Sequence, residues 1–378
     1  MSSIIIVGDF FPTEQNVHLF SKGDVSTLFG EKIVNIFAEA DFCICNLEGS
    51  LTDHPEKCRK TGPIKVANKQ AIEAYKKLGI DCCMLANNHV TDGGHLGTIE
   101  TMKNLDEAGI QYIGAGKNAD TIKRSFVKVF GELKIGFYNV GETMYNKPTK
   151  NTAGAWLYDE YIVCQELKQL KKECNYLIVI YHGGIEKFPY PSPETRKRFH
   201  RMADSGADMI LSQHTHCIGS EEWYKGSYLL YGQGDFLLKN FASGLTDSGL
   251  IIEIKIENSN IEIKKHLVNS AENLYVRYAE IQDFSAFEER SKLIQDEDFV
   301  NKQLQLFCDR ELYIYLKAFK SPSRLLLKFS KYFPKTFRKW LFGYNERDLL
   351  FTLHTLRSEQ NRETAIIGIQ HLLNMKYE

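Results

Sequence analysis

Ile4-Ile5-Ile6-Val7-Gly8-Asp9 is an unbroken apolar run that stops on a carboxylate, and the same arrangement recurs along the chain. Four apolar residues are far too few to cross a bilayer and suit a strand buried on both faces. The run at 42–45 leads to Asn46-Leu47-Glu48, and the run at 84–86 leads to Asn87-Asn88-His89. Residues 177–181 lead to His182-Gly183-Gly184, and 209–212 lead to Gln213-His214-Thr215-His216. Further short runs lie at 111–113, 134–139 and 228–231. Between them come amphipathic stretches at 68–78, 97–108, 158–173 and 193–205, the pattern of an α/β fold.

Gly79, Gly109 and Gly206 each stand where such a helix would stop. Two alternating runs, 250–256 and 261–266, flank Glu257-Asn258-Ser259-Asn260 and read as a hairpin, so mixed sheets are expected. From about Tyr278 glycines thin out and long helical patterns take over. We therefore expect an α/β domain over residues 1–275 and a helical C-terminal region over 276–378.

Composition narrows the classes. With 378 residues, 43% hydrophobic and 25% charged, the chain is globular and long for one compact domain. A net charge of −1 gives no global attraction to nucleic acid, and no nucleic-acid motif is present. The nine cysteines form no C-x-x-C pair, and Cys43, Cys45, Cys82 and Cys83 sit inside apolar runs, as reduced buried thiols do. No stretch resembles a signal peptide or reaches transmembrane length, so the expected location is cytoplasmic.

The carboxyl ends of strands in α/β sheets face the ligand crevice, so the residues that end these runs are expected to converge. Asp9, Glu48, Asn88, His182, His214 and His216 form a carboxylate, amide and imidazole set suited to manganese, iron or zinc. Six candidates are enough for two ions sharing a carboxylate. Each piece alone has a plainer reading: Asp9 as a cap or turn residue, Asn87-Asn88 as left-handed turn formers, a lone histidine as a hydrogen-bonded loop residue. The weight lies in their joint occurrence, since five plain readings would have to coincide.

The ordered set Gly8-Asp9, Asn46-Leu47-Glu48-Gly49, Ala86-Asn87-Asn88-His89 with Asp92 and Gly94, His182-Gly183-Gly184-Ile185-Glu186, Gly206-Ala207-Asp208, His214-Thr215-His216 and Tyr231-Gly232-Gln233-Gly234-Asp235-Phe236 resembles the poly-γ-glutamate capsule-synthesis family of the calcineurin-like metallophosphatase superfamily. The resemblance runs from about residue 3 to 240 and implies a four-layer α/β/β/α sandwich. It implies that Asp9 holds a first metal, that Glu48 (or Asn46) bridges, that Asn88 and His182 hold a second, and that His214 and His216 divide between the two. His89 then matches the histidine that protonates a leaving group, with Asp92 to orient it. Asn46, Lys65, Glu186 and Asp235 are the polar residues expected to meet an anionic small-molecule or polymer substrate. Lys65 sits about where the family carries a lysine, although a solvated surface lysine is the plainer reading. Three departures stand out: Phe11 where phosphatases carry histidine, Asp235 where the family usually has asparagine, and Glu186 displaced by one residue. The implied activity is metal-dependent hydrolysis of a phosphoester or related anion in cell-surface polymer synthesis. The alternative is a non-catalytic accessory with a degenerate site.

Residues 317–344 carry Lys317, Lys320, Arg324, Lys328, Lys331, Lys335, Arg338 and Lys339 with no acidic residue, interleaved with aromatics such as Phe333 and Trp340. Peripheral contact with an anionic membrane is one reading. Solvated lysines beside packed aromatics is the favoured one, because Pro322 and Pro334 break a continuous amphipathic face. Co-sedimentation with anionic and neutral vesicles at low salt decides between them. Membrane contact requires an anionic preference that disappears when Lys328, Lys331, Lys335 and Lys339 become Gln.

Overall fold

The computed structural model describes residues 2–372 except 57, 59, 61, 145, 239–247, 258, 259, 272, 273 and 317–345. The apolar runs become the strands of two mixed sheets. In the first, strand Ser2–Phe10 pairs in parallel with Phe42–Leu47, which continues in parallel to Cys82–Met84 and Gln111–Ile113. On its other side Ser248–Glu257, Asn260–Ala271 and Tyr275–Tyr278 add an antiparallel meander. In the second sheet, Leu133–Gly141, Tyr176–His182, Met209–Gln213 and Ser227–Leu230 are parallel, with antiparallel edge strands Ser125–Phe130 and Glu221–Tyr224.

Both faces of each sheet are covered, which is why the central strands read as continuous apolar runs rather than as alternation. Ile4, Ile6, Ile44 and Met84 of the first sheet pack against Phe137, Ile178, Ile180 and Leu211 of the second. The opposite face of the first sheet, with Ile5, Val7, Cys43 and Cys83, lies under Phe20, Phe29, Ile33, Phe37, Tyr75 and Leu105. These belong to helices Val17–Lys22, Val25–Phe29, Glu31–Ala38, Ile72–Leu78 and Gly94–Ala108. The outer face of the second sheet meets Val163 and Leu167 of helix Glu160–Leu170 and Phe199 and Met202 of helix Pro193–Asp204. The order is helix, sheet, sheet, helix, the four layers expected. Each fully buried Ile or Val contributes about 1.5–3 kcal/mol, so Ile4 to Val7 alone anchor the first strand firmly.

Gly79 and Gly109 end their helices in the left-handed region, at φ 83° and 72°. Gly206, at φ 109°, follows its helix one residue later. Cys43, Cys45, Cys82 and Cys83 are buried thiols. No helix among the described residues is long and apolar enough to cross a membrane.

The first compact unit runs to Asn301, apart from 59–63, beyond the boundary placed at 275. Tyr275–Tyr278 is still an edge strand of the first sheet, and Phe287 of helix Ser285–Leu293 joins the core between the sheets. The thinning of glycine thus begins before the packed domain ends. The second unit takes residues 302–378 and includes helices Glu346–Arg357 and Glu359–Leu372, with Leu312 against Gly368. The basic aromatic segment at 317–344 lies outside the described residues.

Two glutamines tie the sheets together beneath the strand ends. Gln213 Nε2 of the second sheet donates to Val7 O of the first at 3.1 Å and faces Gln233 Oε1 at 3.2 Å. Gln233 Nε2 donates to Ile6 O at 2.7 Å and Leu250 O at 3.0 Å. The chain here leaves no space for side chains: a Cβ on Gly249 would lie 2.0 Å from Asp235 O, a backbone atom that cannot move without its strand. Gly249→Ala should therefore lower stability by about 2–3 kcal/mol or more, read as a reduced urea midpoint at constant slope. An unchanged midpoint contradicts this close approach.

Candidate metal and acid–base site

Asp9 is the last residue but one of the first strand, fully buried, and its neighbours are fixed by pairing. Asn46, opposite Asp9 in the sheet register, donates from Nδ2 to Asp9 Oδ1 at 2.6 Å and faces His182 Nδ1 at 3.1 Å. Its Oδ1 accepts from Asn87 Nδ2 at 2.9 Å. Asn46 is thus engaged by three protein groups and is 1% exposed, which removes it from the surface a substrate would meet. From the second sheet, His182 Nε2 lies 3.0 Å from Asn88 Oδ1 and 3.9 Å from Glu48 Oε1.

The His-x-His segment follows strand Met209–Gln213 in a tight, left-handed path, with φ of 88° at His214 and 53° at His216. Non-glycine residues adopt such angles only when their surroundings demand it. Here Asp9 Oδ2 accepts from His214 N at 3.0 Å, and His216 Nδ1 sits 2.8 Å from Asp235 Oδ1 and 3.4 Å from Asp9 Oδ2.

On the other flank His89 Nδ1 faces Asp92 Oδ2 at 2.7 Å, and its Nε2 lies 3.7 Å from Glu48 Oε1. Asp92 Oδ2 also accepts from Lys65 N at 2.7 Å. Lys65 is not a surface lysine: its side chain is 12% exposed and its Nζ donates to Glu48 Oε2 at 2.7 Å. Glu186 stands at the rim, 41% exposed, 3.8 Å from His214 Nε2.

Sequence reasoning missed Glu142. It follows strand Leu133–Gly141, is 3% exposed, accepts from Gly184 N at 2.9 Å and lies 3.9 Å from His214 Nε2. The signal was present: Val140-Gly141-Glu142 repeats Val7-Gly8-Asp9 at the end of an apolar run.

Electrostatics differ across the four buried groups. Burial, then the charge of Glu48, pushes the Asp9 carboxyl well above the usual range. Burial holds the His182 imidazole well below its ordinary value and His214 down to about 4, so both are neutral lone-pair donors at pH 7. Burial also opposes charge on His216, but the Asp235 carboxylate beside it prevails and raises it to about 10.

The arrangement fits divalent cations. His214 is fully buried, and neither of its ring nitrogens has a hydrogen-bond partner among the described residues; nor does Glu48 Oε1. A buried polar atom left so costs about 1–3 kcal/mol, which a coordinated cation would offset. Two groups offer ligand atoms within 4.8 Å of one another: Glu48 with His214 and His216, and Asp9 with His216 and Asp235. Oxygen and imidazole donors in this mixture suit manganese, iron or zinc.

The family described as "Bacterial capsule synthesis protein PGA_cap" matches residues 3–240, which hold every residue of the site. The chain is similar to the capsule biosynthesis protein CapA of Bacillus anthracis, with 27% identity over 191 residues, 49% of this chain and 46% of that protein. It is also similar to the PGA biosynthesis protein CapA of Bacillus subtilis (strain 168), with 27% identity over 221 residues, 57% of this chain and 58% of that protein. The chain thus spans about half the length of the curated relatives it matches. Among solved structures it is similar to a putative 5'-nucleotidase from Staphylococcus aureus in complex with alpha-ketoglutarate, at 14% identity and a TM-score of 0.45, covering 78% of this chain and 58% of that one.

Convergence of these side chains predicts that purified protein retains divalent metal, at up to two ions per chain. His214→Ala combined with His216→Ala should remove it, measured by mass spectrometry of the metal content. Full metal content in the double variant contradicts the ligand assignment.

Proposed function

The chain belongs to the bacterial capsule synthesis protein family, and on that premise we propose that it is a divalent-metal-dependent hydrolase acting on a phosphoester or related anion in the making of a cell-surface polymer. The observation that carries this reading is the buried His89–Asp92 pair set 3.7 Å from Glu48, beside two cation-binding groups that share His216. Asp9, Glu48, Asn88, His182, His214 and His216 would hold two ions. When bound, they supply Lewis acidity, which draws charge from an ester oxygen and makes water a stronger acid.

The chain's own groups do the rest. Asp92 accepts the Nδ1 proton of His89, which fixes the ring's tautomer and orientation with Nε2 toward Glu48. His89 Nε2 is then the atom that hands a proton to the departing oxygen. Lys65 neutralises Glu48 and adds positive charge for an anionic substrate. His182 and His214, kept neutral by burial, present lone pairs without first losing a proton.

A second reading is a non-catalytic accessory that binds an anionic polymer through the same residues. Phe11 favours it: the ring is 3% exposed, belongs to the apolar core and offers no donor to the site. Turnover separates the two. His89→Asn should lower turnover by about 10²–10⁴-fold while metal stays bound. The loss should be greater for an alkyl phosphoester than for an activated aryl ester, whose leaving group needs no proton. Equal loss on both contradicts the acid role, and absence of turnover across a phosphoester screen with manganese favours the accessory.

A further inference from the structure

Asn87-Asn88 has a plain reading as a pair of left-handed turn formers, and the backbone does not bear it out. The non-glycine residues with left-handed angles among those described are Lys187, His214, His216 and Lys225. Asn87 is therefore not there for its backbone freedom. It follows strand Cys82–Met84, is 1% exposed, and engages both ends of its side-chain amide inside the protein.

Separate segments of the site meet on that amide. Its Nδ2 donates to Leu47 O and to Asn46 Oδ1, both at 2.9 Å, and its Oδ1 accepts from His89 N at 3.1 Å. Its own carbonyl accepts from Nδ2 of Asn146, a residue 4% exposed that lies beyond strand Leu133–Gly141. Leu47 O belongs to the peptide that leads into Glu48, so one side chain grips the backbone at both Glu48 and His89. The His89 ring then stands with Nε2 3.7 Å from Glu48 Oε1, while Asp92 Oδ2 holds its other nitrogen at 2.7 Å. An amide suits the position because it donates and accepts at once without charge. A carboxylate there would offer Leu47 O no N–H and would add negative charge near Asp9, Glu48 and Asp92, each 0 to 1% exposed.

We propose that Asn87 is a positioning residue for the proton transfer: it fixes the His89 turn against the strand end that carries Glu48, and acts on the reaction through His89 Nε2. The assignment rests on the hydrolase reading above, in which His89 protonates the departing oxygen. Misplacing such a group by about 1 Å costs on the order of 10²-fold in rate. In the full chain loaded with manganese, Asn87→Ala should lower kcat for an alkyl phosphoester by about 10–10²-fold, with KM within about threefold and metal content unchanged. The loss should be smaller for an activated aryl ester, whose leaving group needs no proton. The double variant N87A/H89N should turn over at the rate of H89N within about threefold, since an absent imidazole has no position to lose.

A merely structural role would slow both esters alike and add its full factor to that of H89N. Either result overturns the assignment, as does wild-type kcat in N87A or loss of its metal. If H89N is impaired and the N87A loss adds to it, this assignment fails and the hydrolase reading stands. If the wild type shows no turnover, or H89N keeps all of it, the acid role and this assignment fall together. Should N87A not fold, Asn87→Asp takes its place, because it keeps the shape and the oxygen that meets His89 N but has no N–H for Leu47 O. A loss that depends on the leaving group and does not add to that of H89N supports the assignment. Wild-type turnover in N87D, or an additive loss, overturns it.

Discussion

Burying carboxyl groups is the constraint on which the rest of this structure depends. Asp9, Glu48, Asp92, Glu142 and Asp235 are 0 to 3% exposed, and taking a carboxylate out of water costs several kcal/mol even after relaxation. Each is met by a group that the fold delivers to it. Asn46 and the His214 backbone serve Asp9, Lys65 serves Glu48, His89 and the Lys65 backbone serve Asp92, Gly184 N serves Glu142, and His216 serves Asp235. The left-handed turns at His214 and His216 and the close backbone approach at Gly249 follow from bringing those partners so near.

The same burial divides the histidines into classes. His182 and His214 lie among one another's rings and lose their protons readily, while the Asp235 carboxylate shifts His216 the other way. His89 is held by Asp92 on a separate flank of Glu48. Lone pairs for a cation and a proton for a leaving group therefore come from different rings. Their environments, rather than their residue type, set the distinction.

Much of this could be read from the chain. The runs ending in Asp9, Glu48, Asn88, His182 and His214 became strands of the two sheets or their immediate continuations, because side chains buried on both faces must be apolar and the first polar residue falls at the strand's end. What stayed hidden has equally physical causes. Helices Val17–Lys22 and Val25–Phe29 are too short for periodicity to accumulate, and strand Asp235–Leu237 has only three residues. The burial of Lys65 depends on Glu48 and Asp92, which are distant in sequence from one another and meet only after folding. Asn46 looked like a group for substrate because its amide is polar, yet three internal partners engage it.

The glutamine seam between the sheets has a further consequence. Asp9, Asn46 and Glu48 come from the first sheet, and His182, His214 and His216 from the second, so both proposed cation positions draw on each. Neither sheet is a module. A fragment carrying one of them would keep its hydrophobic face and lose its counterpart, parting Asp9 and Glu48 from His182, His214 and His216. The chain is thus indivisible between residues 2 and 237: a truncated or split version has no reduced form of the site to fall back on.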